Sequence, residues 1–110
     1  MPATYSVWDR REGASRTDLA LAALQLCRRW RAQPGVESAK YYWLNASKIF
    51  VMVEGEADGL QMSTFNQDAD NAAAGFALDD VAQMAEAHQL ADARGGNDAF
   101  QLAGSPTGAA

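Results

Sequence analysis

Cysteine is nearly absent from this chain of 110 residues. The single copy, Cys27, excludes an intrachain disulfide and any metal site built on several cysteines. Histidine is equally scarce, with His88 alone, so general acid–base chemistry near neutral pH has one ready candidate. No apolar run approaches the roughly 20 residues a membrane-spanning helix needs, and no membrane partner is expected. The opening Met1-Pro2-Ala3-Thr4 has neither a basic start nor an apolar signal core, so a cytoplasmic protein is expected. Basic residues are missing from one half. Residues 1–48 carry eight Lys/Arg against four acids, a net of +4, whereas residues 49–110 carry one against ten, a net of −9. With −5 overall, the electrostatic requirement of a nucleic-acid module is unmet, and no nucleic-acid partner is expected.

What is present reads as one domain over residues 1–104 and a tail over 105–110. Tyr5 to Trp8 is aromatic and β-branched, as a short strand should be. Ser15-Arg16-Thr17-Asp18 has capping-box spacing. Leu19, Ala22, Ala23, Leu26, Cys27 and Trp30 then recur at helical intervals, with Arg28, Arg29 and Arg31 at the end the helix dipole favours for cations. Pro34-Gly35 stops the helix. Val36 to Leu44 and Lys48 to Glu54 read as two strands around Asn45-Ala46-Ser47, with a two- or three-residue turn. Both faces of that hairpin carry large apolar groups. Tyr41 and Trp43 alternate with Tyr42 and Leu44, and Ile49, Val51 and Val53 alternate with Phe50 and Met52. Gly55 to Gln67 reads as a loop. A second helix is expected from about Asp70 to Leu90, capped by Asp68 or Asp70. Its expected apolar side is Phe76 or Ala77, Val81, Met84, Ala85 and His88, with Gly75 marking a kink or break. Gly95-Gly96-Asn97 is read as a turn and Ala99 to Leu102 as a last strand.

The order strand, helix, strand, strand, helix, strand predicts an α+β, ferredoxin-like βαββαβ fold. It is a four-stranded antiparallel sheet with both helices on one face. Two helices cover one side only. The other apolar face needs a cover, and a second copy with two-fold symmetry supplies the simplest one. A homodimer through the sheet face is therefore expected.

The segments Ser38-Ala39-Lys40-Tyr41-Tyr42-Trp43 and Ile49-Phe50-Val51-Met52-Val53-Glu54-Gly55 resemble the central hairpin of small dimeric α+β barrel proteins. Ala74 to Val81 and Asp98 to Gly104 are similar to segments of uncharacterised bacterial members. That superfamily includes antibiotic-biosynthesis-type monooxygenases, muconolactone isomerases and haem-degrading enzymes. The resemblance implies the fold and the dimer. In the haem-degrading members a histidine on the second helix binds iron and an asparagine on the first strand takes part. Tyr5-Ser6-Val7-Trp8 holds no asparagine, and no cofactor is expected.

Among chemistry-bearing side chains, His88 is the candidate polar contact in a pocket between helix and sheet, with Trp8, Tyr41, Trp43 and Met84 as candidate walls. Such a pocket suits a small apolar or aromatic molecule, because Trp and Tyr offer flat surface plus N–H and O–H donors. The bland account makes these aromatics core on one face and dimer interface on the other. Glu54-Gly55-Glu56-Ala57-Asp58-Gly59 mimics half of a calcium loop, but Phe65 holds the position of the bidentate Glu, so a solvated acidic loop is expected. Cys27 lies inside the helix stripe as a structural thiol. Three functional readings follow. They are a cofactor-free enzyme or small-molecule binder, a structural or regulatory homodimer, and an RNA-binding module. The last shares the element order but lacks the Lys/Arg-Gly-aromatic motif.

Overall fold

The first strand does not stop at Trp8. In the computed structural model, which describes residues 1–90, β1 runs Ala3–Arg10. Helix α1 follows over Arg16–Arg31, and the Ser15 hydroxyl accepts from the Asp18 N–H at 2.9 Å. That bond satisfies one of the donors orphaned at a helix start and is worth about 1 kcal/mol. The expected stripe faces inward, with Leu19, Ala23, Leu26, Cys27 and Trp30 buried.

The hairpin is β2, Val36–Asn45, and β3, Lys48–Gly55. Two residues, Ala46 and Ser47, make the turn, and the Asn45 carboxamide oxygen accepts from the Ser47 N–H at 2.8 Å. Its register pairs Tyr42 with Phe50 and Trp43 with Ile49. The corner before β2 depends on glycine. Gly35 has φ 86°, and a Cβ on Gly55 would collide with the Gly35 carbonyl oxygen. A side chain at either position forces the corner apart.

Residues 55–67 are more structured than a loop. A 3₁₀ turn spans Ala57–Leu60 and a one-turn helix, α2, spans Met62–Phe65. Leu60 and Phe65 are buried there. Helix α3 then covers Ala69–Val81 without a break at Gly75. Asp68 is its cap, accepting from the N–H groups of Asp70 and Asn71. Its buried face is Asn71, Ala74 and Leu78, whereas Phe76, expected inside, is 71% exposed.

The main correction lies after Val81. The second helix does not reach Leu90, because Ala82–Leu90 is strand β4. Ala, Gln, Met, Glu and Leu dominate the segment and are good helix formers, so local preference points the wrong way. The ladder overrides it. β4 pairs antiparallel with β1 along its whole length, from Ala3 opposite Leu90 to Arg10 opposite Ala82. The fourth strand is therefore Ala82–Leu90. The expected turn at Gly95-Gly96-Asn97, the expected strand at Ala99–Leu102, the domain end at 104 and the tail at 105–110 lie outside the described residues.

The sheet order is β2-β3-β1-β4, antiparallel throughout, and the element order is the expected βαββαβ. The fold is therefore ferredoxin-like α+β. Alternation sorts the side chains. Trp8, Ala39, Ile49, Val51 and Val53 join α1 and α3 in one buried cluster, with Tyr41 and Trp43 packed against it. Tyr5, Tyr42, Phe50 and Met52 take the opposite face.

The basic and acidic halves meet inside the subunit. Arg11 pairs with Asp79 at 3.4 Å, and Arg29 pairs with Asp68 at 3.5 Å. These partly exposed pairs contribute little each. More depends on Asn71, fully buried on α3. Its carboxamide oxygen accepts from Arg29 Nε at 2.6 Å, and its Nδ2 donates to the Phe65 carbonyl at 3.0 Å and to Gln33 Oε1 at 3.1 Å. A buried amide with its bonds satisfied ties α1, α2 and α3 together.

Candidate functional site

A cavity of about 760 Å³ lies between the sheet and the helices. It is roomy for a domain of this size and falls within the range of small-molecule sites. Its floor is the helix-side surface of β1 and β3, where Ser6, Trp8, Val51 and Val53 line it. One wall comes from Trp30 and Phe65, stacked with ring centroids 3.8 Å apart and 12° between planes. That stack presents a flat hydrocarbon surface, with the hydrophobic payload large aromatics carry. The rim is apolar and exposed: Met62 is 55% exposed, Phe76 71% and Met84 46%. Large apolar groups held in water around a cavity mouth mark a surface built for contact.

A β-bulge sets the rim. β1 and β4 shift register between Val7 and Trp8: Val7 lies opposite Glu86, and Trp8 opposite Met84. The extra residue is Ala85. Because strand side chains alternate, this insertion keeps both Ala87 and Met84 on the helix side, and both line the cavity. Bulges re-aim side chains in this way beside functional sites.

The candidate residues divide. Trp8 and Met84 line the cavity. Tyr41 and Trp43 sit on the helix side of β2 but pack into the core, and Arg16 stacks over the Trp43 ring at 4.7 Å. His88 borders the cavity as part of β4, but it is on a strand, and its ring is on the other face. It stacks on Tyr5, centroids 4.8 Å apart. Its Nε2 lies 3.2 Å from Glu86 Oε1, and its side chain is 48% exposed. The helical spacing from Met84 placed both residues on one side. The strand, with its bulge, separates them.

The open face carries a row of rings across all four strands. Tyr42 meets Phe50 at 6.3 Å, Phe50 meets Tyr5 at 5.1 Å, and Tyr5 meets His88. Burial, and then the Glu86 carboxylate, push the Tyr5 phenol above its ordinary pKa. On the helix side, burial pushes the Cys27 thiol up to about 11, with Arg31 pulling against it. Cys27 is thus a neutral thiol at physiological pH, not a nucleophile. Among the described residues, no three His, Cys, Asp or Glu side chains stand together as a metal site, and no helix is long and apolar enough to cross a membrane.

Reading residue types missed Ser6, Trp30, Phe65 and Phe76. Ser6 was within reach, since it shares a strand face with Trp8. The Trp30–Phe65 wall was not, because 35 positions separate the two rings along the chain.

The sequence matches no protein-family model and no curated protein. Solved structures do match. SnoaB, a cofactor-independent oxygenase from Streptomyces nogalater, superposes with a TM-score of 0.70 at 7% identity, over 83% of this chain and 91% of that one. A conserved protein of unknown function from Bacteroides thetaiotaomicron gives 0.65 at 14%, over 81% and 95%. A candidate antibiotic biosynthesis monooxygenase from Chloroflexus aurantiacus gives 0.62 at 12%, over 82% and 91%. Identities this low speak for fold alone. The chain has the α+β fold of antibiotic-biosynthesis-monooxygenase-like proteins, among them a cofactor-independent oxygenase and proteins of unknown function.

Proposed function

We propose that this protein binds a small apolar or aromatic molecule in the cavity between sheet and helices, without a cofactor, as a homodimer joined through the open sheet face. The cavity carries the reading: about 760 Å³, floored by Trp8 and walled by the Trp30–Phe65 stack. The shared fold with a cofactor-independent oxygenase supports it and extends it to chemistry on the bound molecule. His88 borders the cavity while its ring stacks on Tyr5, which makes it a rim contact in this reading.

The row of rings supports the dimer. Tyr42, Phe50 and Tyr5 make a flat apolar strip, and a two-fold axis through its middle brings it against itself. Such a strip on central strands also suits base stacking. Glu86 on the same face and the net charge of −5 oppose that.

Heteronuclear NMR with 2-ethylnaphthalene tests the binding reading. Trp8 and Trp30 line the cavity, and Trp43 lies outside it. The indole N–H resonances of the first two should move on titration while that of Trp43 stays. If none moves, the cavity reading falls, and a structural or regulatory homodimer replaces it.

A further inference from the structure

Ser6 is a polar point on a mostly apolar floor, with Thr4 two residues before it on the same strand. Its neighbours on the same sheet face are Val51 across β3 and Ala87 across β4. The Trp8 indole N–H donates to Ser6 Oγ at 2.8 Å. An indole nitrogen only donates, whereas a hydroxyl has one hydrogen and two lone pairs. The direction of the bond is therefore settled, and Ser6 keeps its own hydrogen. Among the described residues that hydrogen has no acceptor. Trp8 is itself held, buried in the core cluster, so it restricts the rotation of the hydroxyl it binds.

We infer that Ser6, clamped by Trp8, is the specificity-determining donor of the cavity, and that the ligand is an aromatic molecule carrying an acceptor oxygen such as a ketone carbonyl or a phenolate. The ligand's ring lies against Trp30 and Phe65, and its oxygen reaches the sheet at Ser6. A molecule without that oxygen leaves the hydroxyl buried and unpaired, which is how a site rejects an analogue of the same shape. Thr4 also lines the floor, but no described tryptophan bond orients it. This inference rests on the cavity reading and adds the chemistry of the ligand.

Two probes of similar shape separate the two. 2-Acetylnaphthalene carries the carbonyl, and 2-ethylnaphthalene lacks it. The native protein should bind the ketone more tightly. Ser6→Ala should lower the ketone's advantage over 2-ethylnaphthalene roughly two- to tenfold, the span expected of one neutral hydrogen bond. Ser6→Thr should restore it. Trp8→Phe, which keeps a ring but frees the hydroxyl, should lower the advantage by a smaller factor. If both probes bind the native protein equally, or Ser6→Ala leaves their ratio untouched, the Ser6 assignment is wrong while the cavity reading stands. If neither probe binds, both fall together.

Discussion

The two faces of the sheet are built from the same strands and have opposite fates. Toward the helices, Trp8, Ile49, Val51 and Val53 are closed off, and a cavity lies between sheet and helices. Away from them, Tyr42, Phe50, Tyr5 and His88 form a continuous row with no described element above it. The comparison teaches that apolarity alone does not assign a role. One face is covered by the chain's own helices and keeps a void; the other carries a row of rings across all four strands.

Truncating side chains on the two faces breaks this comparison most sharply. Ile49→Ala, on the helix side, should cost about 2–5 kcal/mol in a urea titration, through lost burial and the cavity left behind. Tyr42→Ala, next along the same ladder but half exposed, should cost under about 1 kcal/mol at concentrations where the chain is monomeric. Equal costs would mean the two faces are not distinct. The buried amide comes next. Asn71→Ala leaves Arg29 Nε without its acceptor and takes from the Phe65 carbonyl the shorter of its two bonds, and should cost about 1–3 kcal/mol. A placed charge tests the open face. Phe50→Asp should weaken the dimer at least about 30-fold in sedimentation equilibrium, as loss of a central aromatic anchor does. A native mass near one chain at micromolar concentration would remove the dimer altogether.

A pH dependence comes last. Cys27 holds its proton in the folded state up to about 11, whereas an unfolded thiol loses it near 8.5. Between those values the unfolded chain binds fewer protons, so stability falls as pH rises, by a few kcal/mol at most, on the order of 1.4 kcal/mol for each unit between them. Tyr5, also raised, adds to the loss at the upper end. Stability at pH 8 and pH 10 should differ less in Cys27→Ala than in the native protein. An unchanged difference would place the alkaline loss on the open face.

Much of this was legible along the chain. The α1 stripe, its Ser15 cap and the hairpin are carried by neighbours within a few residues, where propensity and alternation act directly. Two-sided apolarity was legible too, because parity on a strand needs no partner. β4 was not: its residues prefer helix, and only the β1 ladder makes them a strand. That one reversal turned the His88 ring onto Tyr5. It also hid the bulge at Ala85 that keeps Met84 at the rim.

The sequence by itself determined the order from β1 through α1 to the β2–β3 hairpin, the helix-one stripe and the need to cover two apolar faces, since these follow from local periodicity and hydrophobicity. Tertiary structure alone decided which face each ring occupies, that Asn71 joins three helices, and that Trp8 holds Ser6 at a cavity floored by neighbouring strands. These depend on register and on contacts between residues tens of positions apart, which no local preference encodes.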